Sequence, residues 1–204
     1  MSHRFLFTPR TVASAIGALI LAAAGLAGGA TRASAAYIVP PDCGPYSGAP
    51  VPAGYTLRFA IAAYVSNNAN GPEFIVGTNL RDVIVGSVYD DVICGLPGND
   101  DIQANSGDDI VYGGLNGDDI WGDLGNDNLH GDGGADTIHG DRFIGPSALD
   151  GNDRVDGGSN DDHLFGDKGA DTLVGGPGFD DGDGGPDVVF DDCRTSVEIV
   201  VNCP

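Results

Sequence analysis

From Gly77 onward the chain repeats itself every nine residues, and this period constrains the fold more than any other feature. The copies run GTNLRDVIV (Gly77–Val85), GSVYDDVIC (Gly86–Cys94), GLPGNDDIQ (Gly95–Gln103), ANSGDDIVY (Ala104–Tyr112), GGLNGDDIW (Gly113–Trp121), GDLGNDNLH (Gly122–His130) and GDGGADTIH (Gly131–His139). A longer copy, Gly140–Asp156, ends in GNDRVD and restores the register. GGSNDDHLF (Gly157–Phe165), GDKGADTLV (Gly166–Val174), the degenerate GGPGFDDGD (Gly175–Asp183) and a shortened unit, Gly184–Phe190, close the series. The sixth position is Asp throughout: Asp82, Asp91, Asp100, Asp109, Asp118, Asp127, Asp136, Asp153, Asp162, Asp171 and Asp180. The eighth is aliphatic until the degenerate copy: Ile84, Ile93, Ile102, Val111, Ile120, Leu129, Ile138, Val155, Leu164 and Leu173. One obligatory apolar residue in nine suits a short strand with a single side chain pointing inward. An amphipathic helix would need apolar residues three and four apart, and Asp and Gly are poor helix formers. The expected fold is all-β: a solenoid of tight Gly-rich turns and three-residue strands, with a cover at each end.

Charge says what such a stack would attract. Thirty acidic residues face nine Lys plus Arg, for a net charge of −21. A polyanion repels phosphates, which argues against nucleic acid as a partner and for cations. Hydrophobic residues still make up 41 %, enough to build a core rather than leave the chain disordered.

The pattern resembles the RTX, or haemolysin-type, calcium-binding repeat, G-G-x-G-x-D-x-U-x with U a large aliphatic residue, over Gly77 to about Phe190. That resemblance implies a parallel β-roll in which each nonapeptide makes half a coil and calcium sits in the turns between successive coils. The elementary chemistry agrees: calcium takes six to eight oxygens, Gly-rich turns expose backbone carbonyls, and Asp supplies charge. The ligands implied are the sixth-position aspartates in two columns. One column holds Asp82, Asp100, Asp118, Asp136, Asp162 and Asp180; the other holds Asp91, Asp109, Asp127, Asp153 and Asp171. Turn glycines join them: Gly95, Gly98, Gly113, Gly122, Gly125, Gly131, Gly157, Gly166, Gly169 and Gly175. Members of one column lie one coil apart, close enough for one ion to touch two carboxylates, and about five to eight ions are expected. Leu80 and Tyr89 replace the fourth-position Gly in the first two copies, whose turns are expected to close without metal. Asp123, Asp132, Asp141 and Asp167 replace the second-position Gly and are read as solvated, with ligation as the alternative.

The flanks set the context. Residues 1–35 read as a signal peptide: Arg4 and Arg10 precede an apolar stretch, and Ala33-Ser34-Ala35 offers a cleavage site. The mature chain is expected to be secreted and extracellular, with no membrane association after cleavage. Residues 36–76 read as an N-terminal cap, 77–190 as the roll, and 191–204 as a C-terminal capping strand with a disulfide. Cys43, Cys94, Cys193 and Cys203 allow three pairings; Cys43–Cys94 and Cys193–Cys203 are favoured. The insertion Asp141–Asp150, with Phe143 and Ile144, reads as a neutral loop. Tyr112, Trp121, His130, His139 and Phe165 fall at the outward ninth position and read as cross-strand packing rather than a binding patch. No nucleophile–base constellation is visible, and acids repeated in every copy are unlike a unique catalytic pair, so no enzymatic activity is expected. The reading is a calcium-binding protein that folds on binding. The alternative is an extracellular adhesion or matrix module with structural calcium and a protein or glycan ligand.

Overall fold

The computed structural model describes residues 39–40, 43–60, 63–65, 70–141, 150–186, 191–193 and 199–203. The leader and the insertion residues Phe143 and Ile144 lie outside the described residues. Sixteen strands follow one another in chain order: β1 (Thr56–Phe59), β2 (Tyr64–Val65), β3 (Glu73–Val76), β4 (Val83–Val85), β5 (Val92–Pro97), β6 (Asp101–Ser106), β7 (Ile110–Leu115), β8 (Asp119–Leu124), β9 (Asn128–Gly133), β10 (Thr137–His139), β11 (Arg154–Asp156), β12 (His163–Phe165), β13 (Thr172–Val174), β14 (Asp181–Asp183), β15 (Asp192–Cys193) and β16 (Ile199–Val201). Odd strands form one eight-stranded sheet and even strands the other, each in sequential order. Every strand pairing among the described residues is parallel, as a chain winding repeatedly in one direction requires. Ile93 aligns with Val111 and Val111 with Leu129, each step being two nonapeptides. Across the insertion Leu129 aligns with Val155, which restores the register. The protein is a parallel β-roll.

The eighth-position residues form its core. Ile84, Ile93, Ile102, Val111, Ile120, Leu129, Ile138, Val155, Leu164 and Leu173 are all 0 % exposed and pack in one file between the two sheets. Burying each aliphatic side chain contributes about 1.5–3 kcal/mol. Seventh and ninth positions of most strands face outward, giving the exposed–buried–intermediate pattern of β4, β11 and β12. The strands are not uniformly three residues long. From β5 to β9 they continue through the first three positions of the next repeat, so six residues in nine are extended and the turn shrinks to positions four to six.

The coil also runs past the repeats at both ends. β1 and β3 pair within the odd sheet before Gly77, and β15 and β16 extend the two sheets beyond Asp183. Val39, Cys43, Tyr46 and Val51 pack against the outer face of the odd sheet. Val39 and Cys43 are buried there with Phe74, Val76, Val92, Cys94 and Tyr112. Cys43 joins Cys94, with Cα atoms 5.5 Å apart, and Cys193 joins Cys203, at 5.8 Å.

Candidate metal centre

Each sixth-position Asp ends a turn and turns back into the stack, where it is buried, from 0 % exposed at Asp82 to 3 % at Asp153. From Asp100 onward its Oδ1 accepts the backbone N–H of the sixth-position residue one coil earlier. Asp82 donates to Asp100, Asp100 to Asp118, Asp118 to Asp136, Asp136 to Asp162 and Asp162 to Asp180, at 2.8 to 3.0 Å. On the other edge Asp91 donates to Asp109, Asp109 to Asp127, Asp127 to Asp153 and Asp153 to Asp171. Both expected columns therefore exist, but half of each carboxylate is already engaged in stitching one coil to the next.

The other oxygen is left over. Among the described residues, Oδ2 of Asp100, Asp109, Asp118, Asp127, Asp136, Asp153 and Asp162 is buried and has no hydrogen-bond partner. Except at Asp109, whose repeat opens with Ala104, it faces the opening glycine of its own repeat. A β-carbon on Gly95, Gly113 or Gly166 would lie 2.6 Å from Oδ2 of Asp100, Asp118 or Asp171, and on Gly122, Gly131 or Gly157 it would overlap Asp127, Asp136 or Asp162. The same space is bordered by the carbonyl one coil on, such as Gly140 O at Gly122, Gly157 O at Gly131 and Gly175 O at Gly157. The opening glycines thus leave room beside Oδ2 and present carbonyls, while Ala104 opens the repeat of Asp109. The fourth-position glycines leave similar room: a β-carbon on Gly98 would overlap Asp100 Oδ1, and on Gly125 and Gly169 the carbonyls of Gly107 and Gly151. Gly125 also takes a φ of 128°, outside the range of ordinary side chains.

Burial without a counter-charge pushes these carboxyls up, first through lost hydration and then through neighbouring carboxylates, with the neighbour's N–H pulling part of the way back. Asp109 and Asp153 rise to about 9 and Asp118 to about 8. Asp127 and Asp136 rise to about 7, and Asp100 and Asp162 to about 6. Protons or cations must neutralise them. Carboxylate and carbonyl oxygens in one cradle form a hard donor set that fits a calcium ion. Among the described residues no group of three His, Cys, Asp or Glu is placed to hold a metal by side chains alone, so backbone carbonyls carry a large share of any coordination.

The first two repeats differ. Asp82 Oδ2 accepts the N–H of Thr78 at 2.6 Å and its hydroxyl at 3.0 Å, and Asp91 Oδ2 accepts the N–H of Ser87 at 2.6 Å. One coil before Asp91 stands Glu73, which donates its N–H to Asp91 Oδ1 and is itself 0 % exposed. Its carboxylate accepts Arg58 Nε and the Tyr64 hydroxyl, each at 2.8 Å. At the far end Asp191 continues the same column, accepting the N–H of Asp171 at 3.0 Å. Sequence reading missed Glu73 and Asp191. Glu73 was legible only as an acid eighteen residues before Asp91, and Asp191 follows the shortened unit, out of period.

Two second-position aspartates read as solvated are buried: Asp123 and Asp141. Asp123 takes a left-handed φ of 75° and is held by Gln103 Nε2. Asp132 is exposed, and Asp167 meets His139 Nδ1 at 3.1 Å. The ninth-position rings stack flat along the roll, Tyr112 on His130 and Trp121 on His139 on Phe165, with interplanar angles of 7°, 2° and 6°.

The chain matches the family model described as RTX calcium-binding nonapeptide repeat (4 copies), over residues 76–111, 85–120, 95–129, 112–144 and 147–181. No curated protein and no solved structure matches it.

Proposed function

Because this calcium-binding repeat chain belongs to the RTX calcium-binding nonapeptide repeat family, we propose that it is exported and that its roll folds as calcium fills the turns. The run of buried Oδ2 atoms without donors, from Asp100 to Asp162, carries the reading. Each Oδ2 and the facing carbonyl hold one side of an ion, and the aspartate N–H ladder sets the coil spacing. The proposed ligands are the sixth-position aspartates from Asp100 onward, with carbonyls of the opening glycines. Ions that bind only the folded chain stabilise it by about 1–3 kcal/mol each when calcium exceeds Kd. Extracellular calcium modules work at about 10⁻⁴–10⁻³ M. Export is supported by the cysteines: all four are disulfide-bonded, which suits an oxidising compartment. The role proposed is ion binding and the rigid rod that follows from it, not catalysis. Far-UV circular dichroism of the mature chain tests the coupling. Strand signal present in calcium and lost with chelator is the expected outcome; a spectrum indifferent to chelator contradicts it.

A further inference from the structure

Asp141 stands apart from every other acid in the roll. It opens the long repeat at the second position and is 2 % exposed; the Gly151 N–H lies near enough to favour its charged form, but neither carboxylate oxygen makes a well-formed hydrogen bond among the described residues. Asp123, Asp132 and Asp167, at the same position of other repeats, take φ values of 75°, 69° and 67°; Asp141 takes no left-handed φ. Its carboxylate is within electrostatic range of Asp127, Asp150, Asp153 and Asp171. Lys168 Nζ pairs with Asp150 at 2.7 Å, and among the described residues no ion pair reaches Asp141. Beside it, Gly140 leaves open the space bordered by Asp153 Oδ2 and the Gly166 carbonyl. A buried carboxylate this poorly bonded, next to a second buried oxygen, needs a proton or a cation to neutralise it, and the facing carbonyl favours the cation.

We propose that this turn is a calcium site distinct from the others, with Asp141 as an additional carboxylate ligand, and that it fills before the rest. The proposal rests on the calcium reading above. More carboxylate ligands raise the affinity of an oxygen site for calcium. The register supplies a probe. Gln103 meets Asp123, and His139 meets Asp167, each pair joining a ninth position to the second position one coil on. Trp121 and Asp141 hold the corresponding register positions, since Trp121 aligns with His139, two residues before Asp141, and Trp121 is the chain's single tryptophan.

Terbium, a luminescent stand-in for calcium, is titrated into the mature chain with excitation absorbed by tryptophan alone, and calcium binding is followed by calorimetry. The expected result is sensitised emission at the lowest metal additions, displaced by calcium. Emission falls several-fold in Asp141→Asn, and the tightest calorimetric phase weakens about tenfold or more. Asp132→Asn, at an exposed second position, leaves both unchanged. Equal emission and equal affinity in Asp141→Asn, or no tryptophan-sensitised emission while calorimetry shows calcium bound, overturns the proposal and leaves the family reading standing. A wild-type chain that binds no calcium overturns both.

Discussion

The first two repeats and the central repeats share the sixth-position aspartate but close their turns differently. At Asp82 and Asp91 the second-position Thr78 and Ser87 supply N–H and hydroxyl donors to the carboxylate. At Asp100, Asp109 and Asp118 no such donor is present, and at Asp100 and Asp118 Oδ2 is left beside a carbonyl. Arg58 stands on Glu73 at the N-terminal end much as a metal ion would, a side-chain cation for a buried carboxylate. The lesson is that a shared Asp does not define a metal turn. The residues four and two places before it decide whether the protein or an ion completes the carboxylate.

The contrast can be broken in several ways, and acid should have the largest effect. In chelator the central aspartates have folded-state pKa values of about 6 to about 9 against an ordinary 3.8. Their raised values mean that stability is fully present below pH 3.8 and is lost as pH rises through the folded values. The metal-free chain is therefore expected to hold more strand structure at mildly acid than at neutral pH, and the calcium-loaded chain to show the reverse, by circular dichroism in each buffer. Next in size, Arg58→Ala leaves Glu73 buried without its cation and is expected to lower stability by about 3 kcal/mol whether or not calcium is present, in denaturant melts. Thr78→Gly removes one side-chain hydroxyl donor and frees the backbone to adopt the central form. A loss of about 1–2 kcal/mol in chelator, recovered in calcium, is the expected result. Smallest, Asp118→Asn keeps an acceptor for the Asp100 N–H but removes charge. Stability should drop by about 1–2 kcal/mol in calcium and not at all in chelator. A loss in both buffers would assign Asp118 to packing alone.

Much of this arrangement is legible in the sequence because two columns recur without break. Ile84 to Leu173 announce a single-file core, and Asp82 to Asp180 announce two rims, since periodicity fixes both pitch and facing. The departures at Leu80 and Tyr89 already mark the turns that close by themselves. What periodicity cannot carry is partner choice over long separations. That Oδ1 would bind the N–H of the preceding coil, leaving Oδ2 alone, depends on where the carboxylate turns once the coils are stacked. Glu73 and Arg58 lie in a segment without the motif, where only pairing with Val92 and its neighbours reveals the register. The segment around Cys43 carries prolines that read as irregular chain, and nothing local says that Val39, Cys43, Tyr46 and Val51 pack on a sheet face. Asp141 looked like Asp123, Asp132 and Asp167 because the four share a position but not a backbone conformation.

Anomalous diffraction from crystals grown in calcium would locate the ions without substitution or denaturation. Metal-bridged rims predict peaks within bonding distance of Oδ2 of Asp100, Asp109, Asp118, Asp127 and Asp136, and none at the Thr78-closed turn of Asp82. Well-ordered turns with those five positions empty, the Oδ2 atoms still buried, would contradict it.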